Sequence, residues 1–429
     1  MKCLVISHNP FSTFQNMGKT FLSLFSEFSS EEICQFYIYP SVPDTQKCRA
    51  YFRVTDKEIL KSYFHLRTPG AQILPVTDRH ELYENPADEA LYRSPKNKTP
   101  LRMLARDTMW RFSRWYSKQL RAFLDAEKPD CIMVAPGPYR FIYDVALRIA
   151  KKRNIPILSY ICDDYYFVEK PEGLLERHRV KKLQKKIRQL MAHTSRIVTI
   201  CEEMNEAYEK EFHRPTTTIM TGTSYNIALL PVLADAPSTI TYMGNIRCER
   251  YQSLAQIGEA LDAINEADGT DYALHIYTDE KDPTILSRFT GIRSVKFCGF
   301  VTGDAFLKTF RSAQLLLHTE AFDKQSIDLV KHSVSTKIAD SLASGIPLLA
   351  YGPDAVSSMR HLLRHNCAIA ATAKEELSAM LRTAFTDAQA RRAAATAALQ
   401  VAHEYHDLQK TGTDFYNAVD SLHHSSLMK

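Results

Sequence analysis

No apolar run in this sequence approaches the roughly 18–20 residues that a helix needs to span a bilayer, so an integral helical membrane protein is not expected. The opening residues, MKCLVISHNPF, pass from Lys2 straight into a short apolar run and lack the core and cleavage site of a signal peptide. A cytoplasmic location is the expectation. No C-x-x-C pair occurs among the nine cysteines, which are odd in number, scattered, and often set inside apolar runs. Buried reduced thiols are therefore expected in place of disulfides or zinc ligands. H-E-x-x-H and clustered His/Cys patterns are missing too, so neither a metal nor a bound cofactor is expected. Gly18-Lys19-Thr20 has the ending of a phosphate loop, but Thr13 stands five residues earlier, where that motif requires glycine. Gly18 is kept as a cleft candidate only because a glycine between a first strand and its helix admits a ligand close to the backbone.

What is present points to two α/β domains. At 429 residues the chain exceeds one typical core. Short apolar runs alternate with amphipathic segments: strands near 2–8, 33–39, 131–135, 155–161, 196–200 and 216–221, then again near 239–243, 272–278, 295–299, 314–318 and 346–350. That alternation predicts parallel sheets covered on both faces, two Rossmann-like domains in all. The boundaries read as 1–223, a connection 224–237, a second domain 238–410, and a final helical piece 411–429 that crosses back onto the first. Residues 41–100 read as surface helices and loops without a strong motif.

Charge divides unevenly. Residues 1–232 hold 35 Lys/Arg against 26 Asp/Glu, while the remainder holds 19 against 23. The excess sits on two predicted basic helices, 101–125 and 176–193, so the first half is expected to meet something anionic. An anionic membrane surface fits this, with the plain alternative of solvated faces on core-packing helices. Nucleic acid is not expected: no stacking or helix-turn-helix signature is present and the second half is acidic.

The most informative stretch is Ser333 to Gly352, SVSTKIADSLASGIPLLAYG. Ser and Thr supply an N-cap, Ile338, Leu342 and Ala343 share a face, Gly345 suits a positive φ, and Pro347 stops the helix before a buried strand. Ser335, Thr336 and Lys337 would offer amides, hydroxyls and an ammonium at the helix's positive end, where a diphosphate fits. Asp340 projects from the same end, toward sugar hydroxyls. The plain reading is an ordinary, well-capped crossover helix. Ligands of open α/β sheets bind beyond the C-terminal ends of strands, which adds Asp163, Asp164, Gly244, Asn245, Arg250 and Glu320 to the candidates. Asp163 and Asp164 either cap the next helix or orient a substrate hydroxyl.

The run Ala343-Ser344-Gly345-Ile346-Pro347-Leu348-Leu349-Ala350 resembles the nucleotide-binding segment of retaining, family-4-type glycosyltransferases of the GT-B fold, A-S-G-x-P-x-x-A preceded by an acidic helix. The resemblance puts the acid that holds the nucleotide ribose on Asp340. A second motif of that family, G-R-L-x-x-x-K, places Arg and Lys on the diphosphate; here it reads Gly244-Asn245-Ile246-Arg247-Cys248-Glu249-Arg250. Arg250 matches the Lys, Asn245 replaces the Arg, and Arg247 is a candidate substitute. The family's paired acids are spaced E-x7-E. Asp340 matches the second, His332 stands eight residues before it, and Glu320 has the context of the first acid at a distance of twenty. The resemblance is strong over about 239–371, weaker over 1–40 and 129–222, and silent over 41–100.

The resemblance implies a metal-independent glycosyltransferase that moves a sugar from a nucleotide-diphosphate donor to a glycan or lipid-linked acceptor. Arg250, Lys337, Asp163 and Asp164 would carry the chemistry. Gly18, Gly244, Asn245, Glu320, Ser335, Thr336 and Asp340 would hold the donor. A nucleotide-sugar epimerase of the same fold and a non-catalytic basic-surface binding protein are the alternatives.

Overall fold

The computed structural model describes residues 1–13, 16–64, 68–76, 99–168, 171, 173–223 and 225–427. Its first strand, β1 (Cys3–Ser7), is buried at every position, as a central strand covered on both faces must be. It pairs in parallel with β2 (Ile33–Tyr37) on one side and β5 (Cys131–Val134) on the other. The sheet continues outward through β3 (Ala50–Arg53) to β4 (Ala71–Ile73), and through β6 (Ile157–Ile161) and β7 (Thr194–Thr199) to β8 (Thr216–Thr218). Among the described residues only the β3/β4 pair is antiparallel.

Two sequence expectations for this sheet are corrected. Residues 41–100 were expected to lie on the surface, yet β3 is buried at all four positions and extends the sheet beside β2. The basic helix expected over 101–125 is two helices, Pro100–Phe112 and Lys118–Glu127. A continuous helix would turn Trp110 and Trp115 about 140° apart; the break lets both indoles be buried. Ser117 caps the second helix by accepting from Leu120 N. The second basic helix runs Leu174–His193 and buries Arg179, which holds Glu176, while Lys181, Lys182 and Lys185 are exposed.

The second sheet is wholly parallel, in the order β11 (Val295–Gly299), β10 (Ala273–Tyr277), β9 (Thr239–Met243), β12 (Leu315–Thr319), β13 (Leu348–Tyr351), β14 (Ile369–Ala371). One face packs Ile257, Leu261, Leu349 and Leu381. The other packs Ile338, Leu342, Leu348 and Met359.

The chain divides into two compact units: Met1–Gly222 together with the chain from Leu408 onward, and Thr223–Asp407. The helix Leu408–Leu427 thus belongs to the first unit, where Phe415 packs 5.0 Å from Phe25 and Arg196 Nε donates to Ser421 Oγ. Residues 225–237 lie against the second unit: Ala228 N donates to Ala343 O and Val232 N to Gly345 O. No helix among the described residues is long and apolar enough to cross a membrane.

Candidate active site

The second sheet reverses its strand order between β9 and β12: strands add outward to β11 on one side and from β12 to β14 on the other. At such a switch point the following helices leave on opposite faces and a crevice opens beyond the strand ends. A cavity of about 110 Å³ lies there, lined among others by Asn245, Arg250, His318, Glu320, Lys337 and Asp340.

The loop after β9 is a tight turn. Gly244, at φ +152°, donates its N–H to Tyr277 O. Asn245 Oδ1 accepts from Arg247 N, and its carbonyl accepts from Tyr242 Oη. Cys248 and Glu249 are both left-handed, at φ +55°. Non-glycine residues are uncommon in that region and cluster where function fixes the backbone. The turn launches the helix Arg250–Asp268, so Arg250 is its first residue.

Arg250 reaches across to the end of β12. Its Nε and Nη2 lie 2.9 and 2.8 Å from Oε2 of Glu320, a side chain only 5% exposed. Burial raises the Glu320 carboxyl above its ordinary value, while Arg250 and Ser358 pull it back. Ser358 Oγ donates to Glu320 Oε1 at 3.5 Å and lies 3.1 Å from His318 Nε2. Desolvation, reinforced by Arg250 and Lys337, pushes His318 down to about 3. The ring is therefore neutral near pH 7.

The third contributor is the helix Thr336–Ala343, capped by Ser335, whose Oγ accepts from Lys337 N. Gly345 closes the helix at φ +73°, where a Cβ would meet Leu230 O at 2.8 Å. Lys337 sits at the cavity rim with its ammonium turned in against Gly244: a Cβ at 244 would lie 1.8 Å from Nζ. Desolvation first, then the like charge of Arg250, lowers the Lys337 pKa. Lys337 forms no salt bridge among the described residues. One turn on, Asp340 Oδ1 accepts from Thr223 Oγ1 at 2.8 Å.

The second unit thus brings together Arg250, Lys337, Asn245, Glu320, Ser335 and Asp340, with Gly244 beneath the lysine. Thr336 is exposed at the helix start and is not among the residues lining the cavity. Arg247, the candidate substitute for the missing arginine, pairs instead with Glu280 at 2.7 Å. Glu320 reaches the cavity because β12 ends there, twenty residues before Asp340 in the chain.

The remaining candidates lie in the first unit. Gly18 is inside the helix Asn16–Leu24, packed so closely on Ser12 that a Cβ would meet its amide nitrogen at 2.4 Å. Asp164 organises its loop: Oδ1 accepts from the amides of Tyr166 and Phe167 and from Tyr208 Oη. Asp163 lines a small crevice with Pro136, Tyr143 and Tyr165, and accepts from Tyr165 Oη at 3.2 Å. Sequence reasoning missed His318, Ser358 and Thr223. Only His318, at a strand end beside Glu320, carried any signal. Among the described residues no group of three or more His, Cys, Asp or Glu side chains is arranged to hold a metal ion.

In chemical terms the crevice presents two cations, a helix N-terminus and an oriented carboxylate around one cavity, a set matched to a polyanion bearing hydroxyls.

Residues 256–416 match the family described as glycosyl transferase-like. No curated protein matches the chain by sequence. Among solved structures, HepE of Anabaena in complex with UDP is similar over 98% of this chain and 100% of its own, at 12% identity and a TM-score of 0.60. Sucrose-phosphate synthase of Thermosynechococcus elongatus covers 99% and 100% at 11% identity and 0.61. WaaG, a glycosyltransferase involved in lipopolysaccharide biosynthesis, covers 97% and 99% at 13% identity and 0.56. Over residues 256–416 the chain is thus similar to glycosyl transferase-like sequences, and its fold over the whole chain is of the GT-B class.

Proposed function

We propose that the protein transfers a sugar from a nucleotide-diphosphate donor, with retention of configuration, to a glycan or lipid-linked acceptor in cell-surface polysaccharide assembly. The observation that carries this reading is the placement of Arg250 and Lys337, with the helix N-terminus at Ser335, around one cavity at the sheet's switch point. Breaking the bond between the anomeric carbon and the diphosphate oxygen leaves charge on the diphosphate. Fixed cations and unpaired amides lower that barrier without reorganising. In this reading the two cations, in place of a resident metal, meet the charge. Asp340 accepts from the ribose hydroxyls. Glu320 holds Arg250 and faces the sugar.

In retaining transfer the acceptor oxygen bonds to the anomeric carbon on the face the diphosphate leaves, through an oxocarbenium-like state, and the acceptor's proton passes to the departing diphosphate oxygen. Asp163 is the candidate to orient the acceptor hydroxyl because it lines a crevice, whereas Asp164 organises its own loop. The exposed Lys181, Lys182 and Lys185, and Leu101 and Phe112 on the preceding basic helix, support an acceptor presented at an anionic membrane face.

The test is a thermal-shift panel of nucleoside diphosphates and their sugars, with UDP first because HepE was solved with it. A rise in Tm specific to one base, absent with the monophosphate, is expected. No rise with any member would overturn the reading.

A further inference from the structure

Asp340 does not stand by itself in the crevice. Its Oδ1 accepts a hydrogen bond from the hydroxyl of Thr223, 117 residues earlier in the chain. Thr223 is 2% exposed. Its own oxygen accepts from Tyr225 N at 3.1 Å, and its N–H donates to His406 O at 2.7 Å. The backbone of Thr223 is thereby anchored, and one lone pair of its hydroxyl is occupied. A hydroxyl has a single proton. With an amide donating to the oxygen, that proton is directed at the carboxylate. The β-branched side chain is also stiff at χ1, so the donor has little freedom to turn away.

We infer that Thr223 is a positioning residue for the nucleotide ribose, acting through Asp340. The inference rests on the reading of Asp340 as the ribose-holding acid. A carboxylate held at one oxygen by a fixed donor no longer rotates freely about its Cβ–Cγ bond. Its acceptor directions are then set before a vicinal diol arrives, which removes part of the ordering cost of binding. The consequence is specific: Thr223 contributes to discrimination between a ribose and a sugar lacking its hydroxyls, and contributes little to the hold on the diphosphate.

The experiment compares the full-length protein's dissociation constants for UDP and 2′,3′-dideoxy-UDP by calorimetry; if another base wins the panel above, its corresponding pair is used. The ratio of the two constants is taken on one preparation, so a partly unfolded variant does not distort it. Asp340→Asn is expected to abolish the preference for the ribonucleotide. Thr223→Val is expected to shrink the preference about tenfold, the scale of one charge-assisted hydrogen bond, with Thr223→Ser retaining most of it. If Asp340→Asn loses the preference while Thr223→Val and Thr223→Ala keep the wild-type ratio, the inference fails and the ribose reading stands. If Asp340→Asn itself keeps the wild-type ratio, the ribose reading fails and takes the inference with it.

Discussion

The ammonium of Lys337 occupies the space where a side chain on residue 244 would begin, 1.8 Å from the ideal Cβ of Gly244. Gly244→Ala is therefore expected to displace the cation. The clashing atom ends a flexible side chain, so the steric cost to folding is small. The backbone cost at φ +152° is about 1–3 kcal/mol. Nucleoside diphosphate affinity should fall about tenfold beyond any change in folded fraction. Titration calorimetry against UDP checks this; unchanged affinity would mean that the Lys337 position is unimportant.

Lys337→Ala and Arg250→Ala should each weaken diphosphate binding by about 1–3 kcal/mol. Their effects on stability should differ. Removing Arg250 strands the buried Glu320, whereas Lys337 has no salt bridge to lose among the described residues. Arg250→Ala is expected to lower Tm by several degrees and Arg250→Ala/Glu320→Gln to recover part of it, since an uncompensated buried charge is the costly species. Lys337→Ala should leave Tm near the wild type.

Diphosphate binding should take up protons. The Lys337 pKa is lowered in the unliganded protein by desolvation and Arg250, and an adjacent anion raises it. Affinity should then decline as pH rises above the depressed value, because the ammonium must be reprotonated for binding. Calorimetry in buffers of different ionisation enthalpy would show the uptake. Its persistence in Lys337→Met would assign the proton elsewhere.

Acid should destabilise the second unit through His318. Its pKa is held at about 3 in the fold against 6.5 in the unfolded chain, so below pH 6.5 the unfolded chain binds more protons. The stabilising contribution is complete above pH 6.5 and is lost progressively as pH falls toward 3. Urea unfolding of the wild type and of His318→Gln across that window should give a shallower pH slope for the variant. Parallel slopes would contradict the assignment.

Asp164→Ala tests which of its two roles holds. Three donors, Tyr166 N, Phe167 N and Tyr208 Oη, lose their acceptor. A cost of about 1–3 kcal/mol in stability is expected, as for buried donors left unsatisfied. A large fall in kcat at unchanged Tm would instead make Asp164 a catalytic residue.

The helix that carries Lys337 and Asp340 was legible because its signals are local: a serine cap, one apolar face, a glycine at positive φ and a proline beyond. β3 was not, because four residues without alternation become a strand only by docking beside β2. The break after Phe112 was hidden because residues 113–117 hold no proline or glycine to mark it, and only the burial of both Trp110 and Trp115, about 140° apart on a continuous helix, requires it. Arg250, Lys337 and Asp340 could be read from spacing and resemblance. The Arg250–Glu320 pair and the Thr223–Asp340 bond join residues 70 and 117 apart, and only the sheet order brings such partners together.

The helix Leu408–Leu427 completes the unit that β1 begins, with Phe415 seated on Phe25 and Phe28. On the ribosome, the unit started first is the one finished last. Its aromatic cluster waits for Leu408–Leu427 to emerge, while residues 223–407 are already complete. A stalled or prematurely ended chain would therefore carry an intact second unit together with an open seam of phenylalanines in the first, the kind of surface that chaperones recognise.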